Sequence, residues 1–333
     1  MANILFVIDS LELKYFEFND LVTNFWIIKS LLLRNHKLFI TTIHNLALIN
    51  NQPFANCFSA QVCDTNVRNQ DLVYDKNPEL VLLDDFDLIF FRPDPPVDSN
   101  YINATYIFDF VNRDKVKIIN DPKSIRNFNE KLHTSLFPDF TPLSIVSSSK
   151  SLIKNFVSQH SICVLKPLNL CFGSGVFFLK NDDPNLNTII SSATQDGTKS
   201  VIVQKYVQSP IKGDIRVLLL GDNVLPYALN KLPLVNDFKF SVHNDSYLKK
   251  VSLSQDTLFM AQSIAKKLNQ LDLPLVGLDI IDNNVIEINI TSPCYFIREI
   301  NNLFNMNLEN LLADFFENYL HKNNSQYNSV HYI

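Results

Sequence analysis

The sequence predicts two architectures in succession, an α/β unit built on a parallel sheet and then an α+β half made of antiparallel pairs. Three observations carry this. Apolar runs at 4–8 and 37–42 flank a helical pattern, which makes a βαβ unit and therefore a parallel sheet covered by helices. The pattern changes after Asp121-Pro122. Beyond that point apolar runs come in pairs joined by turn residues, as at Gly221-Asp222-Asn223.

In the first unit, Asp20 is a candidate cap for a helix with Leu21, Phe25, Ile28 and Leu32 on one face. Residues 88–91 read as a buried strand that stops at Arg92-Pro93-Asp94-Pro95-Pro96. The carboxyl end of such a strand is where open α/β sheets place ligands. Residues 116–119 are the expected last strand of this unit. In the second half, 151–159 reads as a helix, 162–166 and 175–180 as paired strands, and 201–204 as another strand. A hairpin is expected over 214–220 and 224–231, a helix over 255–270, and a second hairpin over 275–281 and 285–290. Residues 307–320 read as a closing helix and 322–333 as a polar tail. There are no internal repeats.

A chain of 333 residues suggests two or three folding units. With 46% hydrophobic and 19% charged residues it can bury a large core. The net charge of -5 argues against a nucleic-acid partner, which calls for a basic patch. Residues 1–10 carry no basic segment and too short an apolar run for a signal peptide, and the stretch 25–33 is too short for a span and is broken by Lys29. No membrane association is therefore expected. Cys57, Cys63, Cys163, Cys171 and Cys294 are odd in number and lack CxxC spacing, which reads as free thiols in a reducing cytoplasm. Only 6 glycines occur, which matters because phosphate-cradling loops depend on glycine.

The second expected hairpin is the most informative segment. Residues two apart in a strand share a face, so Glu287 and Asn289 point the same way. With Asp282-Asn283-Asn284 as a three-residue turn, Asp279 lies across from Glu287. Two carboxylates and an amide then converge on an apolar hairpin, unfavourable unless something positive lies between them. Oxygen ligands of this kind suit magnesium shared with nucleotide phosphates. The plainer alternative is a solvated polar hairpin face.

The run VGLDIID..VIEINITSP, with IREI just beyond, resembles the C-terminal signature of bacterial glutathione synthetase. RPDPPVDSNYINATYI (92–107), INDPKSIRNFNEKL (119–132), LKPLN (165–169), NDDPNLNTII (181–190) and DIRV (214–217) are similar to that family in order and spacing. The similarity spans nearly the whole chain and is weakest before residue 80. It implies a Rossmann-like pre-ATP-grasp domain over 1–122, a small ATP-grasp subdomain over 123–200 and a C-terminal ATP-grasp subdomain with the metal site over 201–321.

The resemblance also implies a carboxylate–amine ligase. ATP phosphorylates the free carboxylate of γ-glutamylcysteine, and the amine of glycine attacks the acyl phosphate to give glutathione, ADP and phosphate. By position, Asp279, Glu287 and Asn289 are implied to hold magnesium, Lys131 and Lys166 to reach the nucleotide phosphates, and Arg216 to stabilise the acyl phosphate. Gln204, Lys205, Tyr206 and Val207 stand where the family holds adenine, with Gly173 and Gly175 in the phosphate loop. Arg92, Asp94, Ser292-Pro293 and Arg298, with Glu299, are candidates for the peptide substrate. A lone lysine is usually solvated surface, although Lys166 ends an apolar run. Arg216, in an apolar strand, could equally belong to a structural ion pair. Family members are often homo-oligomers, so an oligomer is among the expectations.

Two segments depart from the family's pattern. Where a glycine-rich Asp-Gly-x-Gly-Gly loop is usual, this chain has Asn169-Leu170-Cys171-Phe172-Gly173-Ser174-Gly175. Where a lid with Arg-x-Asn and a glycine pair is usual, it has Lys239-Phe240-Ser241 and Asp245-Ser246. Bulky residues obstruct backbone cradling of phosphate, and lids shield reactive intermediates. Three readings follow: a slow glutathione synthetase, a ligase with a changed acceptor, or a non-catalytic nucleotide-binding or interaction protein.

Overall fold

The computed structural model describes residues 1–10, 20–62, 72–171, 173–209, 211, 213–233 and 247–321. The expected tail at 322–333, the lid segment 239–246, Phe172 and Cys63 lie outside the described residues.

The first unit contains β1 (Asn3–Ile8), α1 (Thr23–Leu33), β2 (Lys37–Thr42), β3 (Leu46–Ile49), β4 (Gln52–Val62), β5 (Leu72–Tyr74), β6 (Glu79–Leu82), β7 (Leu88–Phe91), α2 (Ser99–Ile107) and β8 (Lys117–Ile119). Its sheet runs β3-β4-β2-β1-β7-β8, with β5 and β6 also paired to β4. The strands β2, β1, β7 and β8 are parallel, as expected from the βαβ pattern. They are covered on both faces, so β7 is apolar throughout and buried throughout. The antiparallel extension β3–β6 was not foreseen. Its long strand β4 points Pro53, Ala55, Cys57 and Ala60 inward, and such small residues make a faint hydrophobic signal.

Helix α1 is not capped by Asp20. Val22 occupies the cap position without a side-chain bond, because Asp20 stands a further two residues upstream. The Asp20 carbonyl instead accepts from Trp26 Nε1 at 2.6 Å.

The middle of the chain holds α3 (Pro122–Asn127), β9 (Ser144–Ser147), α4 (Lys150–Ser158), β10 (Cys163–Pro167), β11 (Phe177–Leu179), α5 (Leu186–Ala193) and β12 (Val201–Lys205). The sheet order is β11-β10-β12-β9, all antiparallel. Ile153, Val157, Leu186 and Ile190 of α4 and α5 pack on Leu165, Leu179 and Val203. Strand β12, which the sequence assigned to the C-terminal unit, is an inner strand of this sheet.

The third sheet comprises β13 (Asp214–Leu220), β14 (Asn223–Val224), β15 (Ala228–Lys231), β16 (Leu248–Val251), β17 (Leu275–Ile281) and β18 (Asn284–Asn289) in the order β16-β15-β13-β17-β18, with β14 beside β13. Helices α6 (Gln255–Asn269), α7 (Ile297–Phe304) and α8 (Leu308–His321) complete the described elements. The turn between β17 and β18 differs from expectation: it has two residues, Asp282 and Asn283, both at positive φ. A register shift between Asp279 and Ile280 then restores the pairing of Asp279 with Glu287.

The C-terminal helix returns to the first sheet. Phe90 stacks on Phe6 at 4.3 Å between centroids and meets Phe316 of α8 edge-on at 4.7 Å. Asn120 joins the first sheet to the third: its Nδ2 donates to the carbonyls of Leu275 (2.8 Å) and Ile290 (2.7 Å), and its Oδ1 accepts from Leu275 N (3.0 Å). All three bonds are buried. Asn120→Ala is expected to lower the unfolding free energy by about 3 kcal/mol, because three backbone groups lose partners out of reach of water. Urea denaturation measures this, and a loss near zero would refute it.

Asp272 lies nearby in the left-handed region at φ 56°. Burial, helped by Asp121 and opposed by Arg113, pushes its carboxyl up to about 6. An unfolded aspartate titrates near 3.9, so between about 4 and 6 the folded chain binds the extra proton. Stability contributed by this group therefore falls as pH rises through that window. Asp272→Asn, which tolerates the same backbone, is expected to raise stability at pH 7 and leave pH 4 nearly unchanged. Denaturation curves at the two pH values test the sign.

Candidate active site

A cavity of about 540 Å³ lies where the three sheets meet. Its charged floor follows from strand register. Asp214 and Arg216 share one face of β13, as residues two apart must. Lys231 on β15 stands opposite Asp214, and Asp279 on β17 stands opposite Arg216. Four buried charges thus meet and sum to zero.

Asp279 Oδ1 accepts from Arg216 Nε and Lys231 Nζ, each at 2.8 Å, and Oδ2 from Arg216 Nη2 at 3.1 Å and Asn289 Nδ2 at 3.2 Å. Lys231 Nζ also pairs with Asp214 Oδ2 at 2.9 Å. Burial opposes ionisation of Asp279, yet Arg216 and Lys231 outweigh it and hold the carboxyl well below its ordinary range. Burial pushes the Asp214 carboxyl up, with Lys231 pulling against it. Gly277 leaves room for the arginine: a Cβ there would stand 3.1 Å from Arg216 Nη1.

Beside this quartet, Lys131 Nζ bridges Glu287 Oε1 and the Leu170 carbonyl, both at 2.7 Å. Burial lowers the Lys131 pKa, but Glu287 and Glu130 raise it overall. Among the described residues Lys166 Nζ reaches only the Ile286 carbonyl, at 3.3 Å, and burial depresses its pKa. Glu130 is buried at the cavity wall. Its Oε1 accepts from Ile290 N, Thr291 N and Thr291 Oγ1 at 2.7–3.0 Å, which pins the chain leaving β18.

The structure brings most of the singled-out residues to this cavity. Lys131, Lys166, Gly173, Gln204, Lys205, Tyr206, Val207, Arg216, Asp279, Glu287 and Asn289 line it, as do Asp94 and Ser292. Ser292 hydrogen-bonds Asp94, whose carboxyl burial raises. Gly173 and Gly175 keep positive φ (67° and 69°), and a Cβ on Gly175 would press to 2.8 Å from Pro167 Cγ. In the altered loop, Leu170 lines the cavity and its carbonyl holds Lys131.

Two substrate candidates are placed elsewhere. Arg92 is buried behind the wall, donating from Nε to Asn24 Oδ1 (2.5 Å) and from Nη2 to the Pro293 carbonyl (3.0 Å). Arg298, on α7, is outside the lining and pairs with Glu299 at 2.9 Å and Asp20 at 3.3 Å. Positive charge does stand at the facing carboxylates, from several side chains: Lys131 serves Glu287, while Arg216 and Lys231 serve Asp279. Sequence reading missed Asp214, Lys231 and Glu130 as site residues. The charges two apart in Asp214-Ile215-Arg216, inside an apolar strand, were the available signal.

The donor set accommodates a nucleotide and a hard cation. Glu287 Oε2 and Asn289 Oδ1 accept no hydrogen bond among the described residues, and carboxylate and amide oxygens suit magnesium. Gln204 Nε2 is buried in the cavity wall without a partner among the described residues, a donor awaiting an acceptor such as a base edge.

A nucleotide-sized cleft between an antiparallel four-stranded sheet and a larger sheet bearing carboxylate and amide oxygens defines an ATP-grasp ligase. Solved structures agree on the fold. D-cycloserine synthetase DcsG matches with a TM-score of 0.66 at 13% identity, covering 96% of this chain and 100% of its own. D-alanyl-alanine synthetase A from Vibrio cholerae matches at 0.60 and 14%, covering 96% and 98%. The ATP-grasp ligase PsnB, solved with a minimal precursor, Mg and ADP, matches at 0.58 and 13%, covering 96% and 98%.

The chain belongs to the prokaryotic glutathione synthetase family. The family's N-terminal domain matches residues 2–126 and its ATP-grasp domain residues 130–305. Glutathione synthetase of Citrobacter rodentium is 35% identical over 290 residues, 87% of this chain and 90% of that one. That of Nitrosomonas europaea is 32% identical over 291 residues, 87% and 91%. The protein is an ATP-dependent, glutathione synthetase-like ligase. No helix among the described residues is long and apolar enough to cross a membrane.

Proposed function

We propose that the protein joins γ-glutamylcysteine to glycine in the cytoplasm, using ATP and magnesium. The observation that carries this reading is the convergence on one cavity of two buried lysines, an unpartnered amide and the Glu287 and Asn289 oxygens. Gln204 and the strand end after it would take the base, with Tyr206 supported by Phe178 at 5.3 Å. Lys131 and Lys166 would bind phosphate oxygens, and Glu287, Asn289 and Asp279 would hold magnesium. When bound, the ion neutralises charge on the transferring phosphoryl group. Arg216, fixed by Asp279 and the Cys294 carbonyl, presents a rigid cation to an acyl phosphate. Asp94 and Ser292 line the cavity for the peptide's polar groups. Free thiols at Cys57, Cys163, Cys171 and Cys294 accord with a reducing compartment.

Phosphate release from ATP tests the assignment. Release that needs both γ-glutamylcysteine and glycine is expected. Leu170, projecting into the cavity from the altered loop, favours one second reading, a changed amine acceptor. Release with γ-glutamylcysteine and another amine, but not glycine, would select it. No release with any amine would overturn both.

A further inference from the structure

A carboxylate offers about four acceptor positions, and the four donors on Asp279 fill them. For this carboxylate to bind a divalent ion, one donor has to leave. Arg216 is poorly placed to do so: its Nη1 is anchored on the Cys294 carbonyl at 2.9 Å, and the Phe296 ring stands 5.5 Å from its Cζ. Asn289 is anchored too, its Nδ2 donating to the Gly277 carbonyl at 3.1 Å. Lys231 is different. Two of its three ammonium protons serve Asp279 Oδ1 and Asp214 Oδ2. Next to that second contact, Asp214 Oδ1 is buried and has no donor among the described residues. Rotation about the terminal bonds of Lys231 would carry the proton from Asp279 to this vacant acceptor. The ammonium would keep its counter-charge throughout.

We propose that Lys231 is a positioning residue that exchanges with a divalent cation at Asp279 Oδ1, turning onto Asp214 when the ion binds. The inference rests on reading Asp279 as a metal ligand. It makes Asp214 a parking place for the lysine, which accounts for an otherwise costly unpartnered oxygen in a buried strand. Lys231 lines the cavity, so in the turned position it would still present positive charge to an anionic substrate oxygen.

Titration with Mn²⁺ alone, followed by the EPR signal of the free ion, tests this without turnover. Lys231→Met is expected to tighten Mn²⁺ binding roughly tenfold, since a charge-assisted bond no longer competes for the oxygen. Lys231→Arg should return the affinity to that of the unmodified chain. Lys166→Met removes an equal buried charge whose ammonium donates to the Ile286 carbonyl and not to Asp279 among the described residues, and should change the affinity much less. Equal tightening in the two methionine variants would assign the effect to the general field and overturn the proposal. So would unchanged or weaker binding in Lys231→Met, or binding too weak to detect in every protein. If Lys231→Met fails to fold with Asp214 stranded, Lys231→Met/Asp214→Asn removes the pair together and is held to the same outcome. Asp279→Asn separates the two levels. Loss of Mn²⁺ binding there, with Lys231→Met unchanged, defeats the exchange alone. Binding retained in Asp279→Asn defeats the metal reading itself.

Discussion

Asp279→Asn is expected to reduce ATP-dependent phosphate release by on the order of 10³-fold or more, through loss of both a metal ligand and the group that orients Arg216. The side chain changes shape very little, so the effect is one of charge and donor direction. An amide turns an N–H toward either the guanidinium or the ammonium, both of which only donate. Arg216 and Lys231 would then share Asp214 as their remaining carboxylate in the quartet. Breaking a buried ion pair from one side costs about 3–5 kcal/mol, so the variant should also be markedly less stable. Activity is therefore to be compared at a temperature where circular dichroism shows both proteins folded. Retention of a tenth of the activity under those conditions would remove Asp279 from the proposed machinery.

Gly213→Ala is the second large effect, and it acts through the backbone. Gly213 has φ 149°, and a Cβ there would collide with the Lys231 carbonyl oxygen and with Asn230 Oδ1. The Asn230 contact is with a side-chain tip, whereas the Lys231 oxygen is backbone and cannot turn aside. The carbonyl belongs to β15 at the point where Lys231 pairs with Asp214, and relieving the contact opens that pairing. A loss of about 4 kcal/mol or more in unfolding free energy is expected, together with reduced activity because Lys231 shifts. Gly197→Ala is the comparator. It has φ 90°, but its nearest neighbour would be the Ser148 carbonyl oxygen at 3.6 Å, so only conformational strain of roughly 1–2 kcal/mol applies. Urea midpoints for the two variants that fall together would refute the steric account.

Much of the third sheet was legible because its signals are local. Residues 275–289 are two largely apolar runs around turn residues, and period two alone puts Glu287 and Asn289 on one face. The pairing of Asp279 with Glu287 was reached with a three-residue turn, whereas a two-residue turn and a bulge produce it. Bulges leave little trace in a sequence. The antiparallel extension from β3 to β6 was illegible for another reason: Pro53, Ala55 and Cys57 fill its inner face with little apolar area each.

The amino-acid order on its own was sufficient for the two-part architecture, much of the cavity lining and the family resemblance. Periodicity and turn chemistry act over a few residues and can be read in one dimension. Which cation meets which carboxylate was decided by tertiary structure. Lys231 and Asp279 are 48 positions apart and Lys131 and Glu287 are 156 apart. Electrostatic pairing depends on separation in space and on burial, and only the assembled sheets set either.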